Sequence, residues 1–201
     1  KDKAWSFSVY KVENWVNCKG NKWSLSLFCS VYGVSSDEAD IDHRLIPNFH
    51  YDEVFGTVLN RFIVQAVAQY PLTVYGKGGQ TRGYLNLRDT MQCVYLSATQ
   101  PAKKGELRIF NQVTETFNVN ELAERVSKIG NILGCNVKIN HRENPRKEKE
   151  EHYYNPKYTG LLEFGLKPHY LTDEVLTGMF KVVEEYKDRI NKDAIFRGIK
   201  W

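Results

Sequence analysis

Cysteine is scarce in this 201-residue chain, and no two cysteines are close in sequence. Cys18, Cys29, Cys93 and Cys135 form no CxxC motif. Zinc ribbons and disulfide-linked secreted scaffolds need recurrent, closely spaced cysteines, so the spacing argues against both classes. We expect four separate thiols that pack as small apolar side chains in a reducing compartment.

Long apolar runs and a one-sided charge are also missing. No stretch approaches the roughly 18 consecutive apolar residues of a membrane span, and the start, KDKAWSFSVYKVENW, lacks a signal peptide's apolar core. The 28 Lys and Arg residues are interspersed with 24 Asp and Glu residues, which leaves a formal charge of only +4. We therefore expect neither a nucleic-acid partner nor membrane insertion, and any targeting segment would lie outside this chain.

The chain also lacks a glycine-rich turn near its start. Gly76, Gly78 and Gly83 have neither the spacing of a Walker loop nor that of a dinucleotide-binding turn. Alternating strand and helix patterns nevertheless predict an α/β fold. With 42% hydrophobic residues, the chain is long enough for one ordinary core and a small lobe.

Residues 70–93 are the most informative stretch. Strand-forming residues flank the glycines, with Leu72 and Val74 before them and Leu85 after them. Spacing alone is typical of a hairpin whose turn needs positive φ. Arg82, a planar fork of donors that suits a phosphate or carboxylate, favours an anion site instead. Both interpretations remain open at this point.

Four segments have the three- and four-residue apolar spacing of amphipathic helices. They begin near Asp52, Asp89, Asn118 and Thr172, and Asn118 forms a capping box with Glu121. Their apolar stripes are Val54, Phe55, Val58, Leu59, Phe62, Ile63, Ala66 and Val67; Met91, Val94, Tyr95 and Ala98; Leu122, Val126, Ile129 and Leu133; and Val175, Leu176, Met179, Phe180, Val183 and Tyr186. Strands are expected at Leu25–Val34, at Glu106–Val113 and around Val137 and Ile139, and Gly134 is placed to end the third helix.

Polar residues interrupt these patterns at three places. Asn60 and Arg61 lie within an apolar helix, where they form either its solvent face or a site. The mixed-charge segment HRENPRKEKEEHYYN at residues 141–155 is typical of a solvated loop. His43 and His50, in an acidic connection, lack metal-ligand spacing and are interpreted as surface residues.

Three strings carry a resemblance to a known family. VYGKGGQTRGYLNLRDTMQCV (74–94), VFGTVLNRFIVQA (54–66) and NPRKEKEEHYYN (144–155) resemble the substrate-side segments of nucleotide-sugar epimerases and dehydratases of the extended short-chain dehydrogenase/reductase family. The resemblance is good over residues 50–200 and weak before them. It implies that the chain is the C-terminal, substrate-binding half of such a protein, with an incomplete Rossmann domain. Residues 1–49 would be a divergent remnant of the last Rossmann elements, and residues 50–201 would form the nucleotide-sugar-binding domain.

The resemblance also implies the site residues. The substrate-binding residues would be Leu59, Asn60, Arg61, Thr73, Val74, Tyr75, Gln80, Arg82, Arg146 and Glu148, with Arg82 and Arg146 on one pyrophosphate. Lys11 would match the catalytic Lys of the family, whose partner Tyr stands four residues earlier. That position holds Phe7, and Tyr10, adjacent to Lys11, cannot share its helical face.

The implied activity is a step of sulfolipid biosynthesis in which UDP-glucose and sulfite form a nucleotide-activated sulfosugar. It would proceed through oxidation at C4, elimination, sulfite addition and re-reduction with NAD. Full-length members bind NAD, whereas we expect this chain to bind none. The alternatives are a UDP-sugar-binding module without turnover and a regulatory or interaction protein. The resemblance further implies the chloroplast stroma, with the transit peptide outside this chain, and a homodimer.

Overall fold

The computed structural model describes residues 23–28, 30–52, 55–103, 107–144 and 159–196. Its strands are β1 (Trp23–Phe28), β2 (Ser30–Tyr32), β3 (Leu72–Tyr75), β4 (Thr81–Asn86), β5 (Leu107–Gln112), β6 (Glu115–Asn118) and β7 (Ile139–Arg142). Its α-helices are α1 (Asp37–Ile41), α2 (Val58–Val67), α3 (Leu87–Thr99), α4 (Val119–Ile132), α5 (Thr159–Glu163), α6 (Asp173–Glu185) and α7 (Lys192–Phe196), with 3-10 turns at His43–Leu45 and Lys187–Arg189. The α/β fold class is confirmed.

The strands form three small sheets. β1 pairs with β5 in parallel, and β3 pairs with β7 in parallel. β4 lies between β2, its parallel neighbour, and β6, its antiparallel neighbour. Two strands from the first 49 residues therefore pair with strands from the second part of the chain, which fixes β4 at the centre of the predicted site region.

The main core lies where α2, α4 and α6 pack against one another and against β3. Leu59 and Phe62 of α2, Leu122 of α4 and Met179 of α6 are completely buried there. Burying such a side chain contributes about 1.5–3 kcal/mol each, so these three helices hold the molecule together. The sequence periodicity predicted all three helices, and the capping box of Asn118 and Glu121 is present.

Two helix predictions are wrong in detail. Helix α2 begins at Val58, because the Thr57 hydroxyl caps it by accepting from the Asn60 N–H, and Phe55 is 60% exposed rather than packed. Helix α3 begins at Leu87 and is capped by Asn86, not by Asp89.

The predicted apolar stripe of α3 lies on the wrong face. Met91, Val94, Tyr95 and Ala98 are exposed, whereas Asp89 and Cys93 are buried. Apolar spacing identifies a helix but not the face that finds a partner. Leu161 of α5 and the following Leu166 pack on Cys93, on the side opposite the stripe.

The glycine segment and the first strand also differ from expectation. Gly76 and Gly78 have positive φ (66° and 74°), as the turn interpretation requires, yet β3 and β4 belong to different sheets and form no hairpin. The single strand expected at Leu25–Val34 is two strands, β1 and β2, in different sheets. Leu133, expected in the buried stripe of α4, is 43% exposed because the helix ends there, and Gly134 (φ 83°) turns the chain.

Candidate functional site

The predicted site is built first from contacts between α2 and β3. Gln65 donates through Nε2 to Thr73 Oγ1 (3.2 Å) and accepts through Oε1 from the Thr73 N–H (3.0 Å). The Arg61 guanidinium lies 5.3 Å from the centroid of the Tyr75 ring. Four residues of helix rise about 6 Å and two residues of strand about 6.6 Å, so Arg61 and Gln65 meet Tyr75 and Thr73 in register. The helix therefore fixes both side chains of the strand.

The turn after β3 is held by the start of α4. Asn120 donates its backbone N–H to the Gly78 carbonyl (3.1 Å) and its Nδ2 to the Lys77 carbonyl (2.8 Å). A Cβ atom at Gly78 would collide with Asn120 Oδ1, so glycine is needed for both space and φ. These contacts with α4 therefore fix the path of the chain from the turn into β4.

Beyond this turn, two arginines act electrostatically on the buried Tyr84. Burial raises the pKa of the Tyr84 phenol, and the positive charges of Arg82 and Arg61 act in the opposite direction. Arg82 is exposed and donates to the Thr81 carbonyl at 3.0 Å. Gln80 is 8% exposed, and its buried Oε1 accepts no hydrogen bond from the described residues.

Strand β7 adds Arg142, which the sequence reasoning missed. In the parallel register Arg142 stands beside Tyr75, and the Gly76 N–H donates to the Arg142 carbonyl (2.8 Å). A cavity of about 280 Å³ opens on this strand pair, lined by Tyr70, Pro71, Thr73, Asn140 and Arg142. Only the pairing of β3 with β7, which sequence spacing cannot reveal, brings Arg142 there.

The other predicted residues divide into three groups. Leu59 and Val74 are completely buried, so a ligand contact at either would have to use the backbone. Asn60 donates Nδ2 to the His50 carbonyl (3.0 Å), while its buried Oδ1 accepts no hydrogen bond within the described part of the chain. Lys11, Arg146 and Glu148 lie outside the described residues, and the convergence of Arg82 with Arg146 stays a prediction.

A second polar cluster, which we call the clasp, joins residues 167–171 to α3 by hydrogen bonds. The Asp89 carboxylate is completely buried and accepts from the His169 N–H (3.0 Å) and from His169 Nδ1 (2.7 Å). Gln92 accepts from the Lys167 N–H (3.2 Å) and donates to the Lys167 carbonyl (2.9 Å). Burial raises the pKa of Asp89, and the hydrogen bonds from His169 partly oppose that rise.

Glu115 continues this clasp from β6. Its Oε2 accepts from the Tyr32 hydroxyl (2.5 Å) and from the Leu171 N–H (2.9 Å). Burial raises the pKa of Glu115, and burial together with Glu115 raises that of Tyr32. The segment that follows α5 is thereby fixed to β2, α3 and β6 by the buried carboxylate of Asp89 and the half-buried carboxylate of Glu115.

The clasp includes no activated nucleophile. Cys93 lies one helical turn after Asp89, but burial raises the pKa of its thiol to about 12, which leaves it protonated at neutral pH. Among the described residues no group of His, Cys, Asp and Glu side chains could hold a metal ion. His43 and His50 are exposed, as predicted.

Comparison with known proteins shows which enzymes this chain resembles. The chain is 53% identical over 171 residues to the chloroplastic UDP-sulfoquinovose synthase of Spinacia oleracea, and 44% identical over 173 residues to UDP-sulfoquinovose synthase of Sulfolobus acidocaldarius. Each match covers 85% of this chain. Over most of its own length the chain is therefore similar to UDP-sulfoquinovose synthases, and its fold is that of the extended short-chain dehydrogenases/reductases. No protein-family model matches it.

Solved structures of this family share the fold. UDP-glucose 4-epimerase of Thermotoga maritima, with UDP-glucose, matches 84% of this chain and 47% of its own, with a TM-score of 0.59 and 18% identity. UDP-glucuronic acid 4-epimerase of Bacillus cereus, in complex with UDP-glucuronic acid and NAD, matches 81% of this chain and 45% of its own, with a TM-score of 0.56 and 17% identity. At these identities the likeness shows the fold alone.

The chain spans only 36% and 44% of the two synthases it matches. Extended short-chain dehydrogenase/reductase structures such as the Bacillus cereus epimerase hold NAD, whose pyrophosphate needs a glycine-rich turn before a helix. In the part of this chain that the structure describes, β4 and β6 lead directly into helices capped by Asn86 and Asn118, and β2 is followed by the single Gly33. These residues do not fit the NAD pyrophosphate, and we assign no cofactor contact to them.

Proposed function

We propose that this chain is the nucleotide-sugar-binding part of a UDP-sulfoquinovose synthase-like protein of sulfolipid biosynthesis. The observation that supports it is the position of the Arg61 guanidinium over the Tyr75 ring, at the end of β3. Arg82 on β4 adds a second guanidinium, whose charge acts on Tyr84. Two cationic forks and an aromatic ring suit a pyrophosphate joined to a nucleoside. The identity to two synthases supports UDP-glucose as the sugar nucleotide and sulfite as the second substrate.

Each element has a separate task in this proposal. Arg82 and Arg61 bind the pyrophosphate oxygens by charge-assisted hydrogen bonds, and Arg146 and Glu148 complete the site from outside the described residues. The backbone of Thr73, which Gln65 fixes, and the edge of Tyr75 line the nucleoside. Such pre-organisation reduces the entropic cost of binding.

The buried oxygens of Gln80 and Asn60, for which no described residue is a donor, are acceptors that a ligand hydroxyl or N–H can satisfy. A buried acceptor left without a donor costs about 1–3 kcal/mol, so a ligand that supplies the donor gains this stabilisation. Both residues flank the turn and helix that carry the arginines. Their side chains thus favour a polar sugar nucleotide over a simple anion.

In the complete reaction NAD would accept and return the hydride at the sugar C4, and Lys11 is the proposed catalytic Lys. The residues described here supply binding and orientation. A UDP-sugar-binding module without turnover is the second candidate, favoured by helix starts that do not fit the cofactor. The name of the spinach relative supports a chloroplast, and we propose the stroma; we also propose a homodimer.

Titration calorimetry of the chain with UDP-glucose tests the proposal. We expect one saturable site that UDP competes for and glucose does not. Absence of heat with both UDP-glucose and UDP would refute the proposal and favour a regulatory or interaction protein. Formation of a sulfonated product from UDP-glucose, sulfite and NAD would decide between the enzyme and the binding module.

A further inference from the structure

A groove distinct from the nucleotide region lies between residues 43–51 and the end of α6. Its volume is about 450 Å³, within the range of small-molecule pockets. The apolar surface comes from four elements: Ile46 in the connection after α1, Val64 of α2, Val182 of α6, and Ile190 beyond the 3-10 turn. None of the predicted nucleotide-binding residues lines it.

The rim of the groove is cationic. Arg44 and Arg189 line it together with His43, and none of the described Asp or Glu residues does. The charge of Arg44 is already matched by Asp42, whose carboxylate lies 2.6 Å from it. Arg189 lies 4.8 Å from the centroid of the Tyr186 ring, and no ion pair with a carboxylate of the described residues neutralises it. Arg189 is therefore the main positive charge available to a ligand.

An apolar surface with one available guanidinium selects its ligand by two properties. The hydrocarbon surface favours an alkyl or aryl body, because removing that body from water is favourable in proportion to its apolar area. The guanidinium favours a carboxylate or sulfonate head group over a neutral one. A fully polar anion would leave the valine and isoleucine surface unused.

We propose that this groove binds a small amphiphilic anion, with its hydrocarbon body on Val64, Val182 and Ile190 and its anionic head group on Arg189. The proposal does not depend on nucleotide-sugar binding, since the two regions share no lining residue. Helix α2 connects them, since its Val64 lines the groove and its Arg61 faces Tyr75.

Calorimetry with decanoate and decanol, below the concentrations at which either aggregates, tests the proposal on the intact chain. The two probes have the same alkyl body and differ in the head group. We expect decanoate to bind at one site and decanol to bind roughly tenfold or more weakly, since a hydrogen bond to a charged group contributes about that factor.

Variants locate the site. Arg189→Ala should weaken decanoate roughly tenfold and leave decanol unchanged, while Arg189→Lys should keep part of the affinity. Arg108→Ala is the matched control, because Arg108 also stacks on an aromatic ring, 5.6 Å from the Phe164 centroid, but does not line the groove. Circular dichroism of each variant confirms that the chain is folded.

Four binding results would overturn the proposal. They are no decanoate binding by the parent chain, decanoate affinity of Arg189→Ala equal to that of the parent, a loss of decanoate affinity in Arg108→Ala equal to that in Arg189→Ala, or competition between decanoate and UDP-glucose. A concentration-dependent dimer that decanoate dissociates would also overturn it, because a second copy would then be the occupant.

Discussion

Replacing Asp89 by Ala tests how the C-terminal segment is held to the rest of the fold. Its carboxylate accepts three kinds of donor: the His169 N–H, His169 Nδ1 and Gln92 Nε2 (3.2 Å). In the Asp89→Ala variant, Gln92 Nε2 still donates its hydrogen bond to the Lys167 carbonyl. The His169 ring is 43% exposed and can form a hydrogen bond with solvent instead. The backbone N–H of His169 is the donor that is left without an acceptor.

The expected loss follows from that inventory. A buried donor without an acceptor costs about 1–3 kcal/mol, and a further charge-assisted contact to the half-exposed imidazole, discounted for solvent screening, adds up to about 1 kcal/mol. We therefore expect Asp89→Ala to lower the free energy of unfolding by about 2–3 kcal/mol. Urea denaturation followed by far-ultraviolet circular dichroism measures it.

A control and a local probe make the test specific. Asp173→Asn breaks an exposed ion pair with Lys128 (2.8 Å) and should cost within about 1 kcal/mol. In Asp89→Ala, hydrogen exchange at the His169 amide should accelerate more than at the Leu171 amide, which Glu115 still holds. A loss below about 0.5 kcal/mol, or no change at His169, would refute the clasp.

The clasp also has a pH signature. Burial raises the pKa of Asp89 above that of the unfolded chain, so the native state binds the proton more tightly. This contribution to stability is complete below the unfolded pKa, about 3.9, and is lost as pH rises through the higher native pKa. Unfolding free energies of the parent should therefore decline relative to Asp89→Asn from about pH 4 upward. A parallel pH dependence in both proteins would contradict the direction of the shift.

Three further predictions concern the site and its surroundings. Gly78→Ala should destabilise more than Gly134→Ala by denaturation, since both have positive φ, costing about 1–3 kcal/mol, but only Gly78 is crowded by Asn120; equal losses would argue against that contact. Thr73→Val should cost about 1–3 kcal/mol in the same assay because it leaves Gln65 Nε2 buried without its acceptor, and an unchanged midpoint would refute the pairing. Cys93 should resist iodoacetamide at pH 7.5 until the chain unfolds, because its pKa is about 12 and its thiol is buried; mass spectrometry showing rapid alkylation of native Cys93 would contradict this.

Local signals predicted local features well. The capping box at Asn118, the cap at Thr172 and the positive φ of Gly76 and Gly78 follow from residue chemistry within four positions, and all are present. Periodicity also identified α2, α4 and α6, because each buries one continuous apolar face.

Long-range pairing could not be predicted from the same signals. Arg142 lies beside Tyr75 because two strands pair whose facing residues are 67 positions apart in sequence. Asp89 likewise contacts His169 across 80 residues. The exposed stripe of α3 shows the same limit, since apolar spacing does not identify the packing partner. A polar Gln65 inside the buried run 62–67 was a usable signal, because a buried amide requires a hydrogen-bond partner.

The most direct test of the central proposal is UDP-glucose affinity in arginine variants of the intact chain. Arg82→Ala should weaken binding roughly 10- to 100-fold, the equivalent of about 1.5–3 kcal/mol for a hydrogen bond to a charged group, and Arg82→Lys should recover little of it. Arg108→Ala, outside the site, should bind as the parent does. If the double variant Arg61→Ala, Arg82→Ala bound UDP-glucose as tightly as the parent, no nucleotide-sugar function could be assigned to this region.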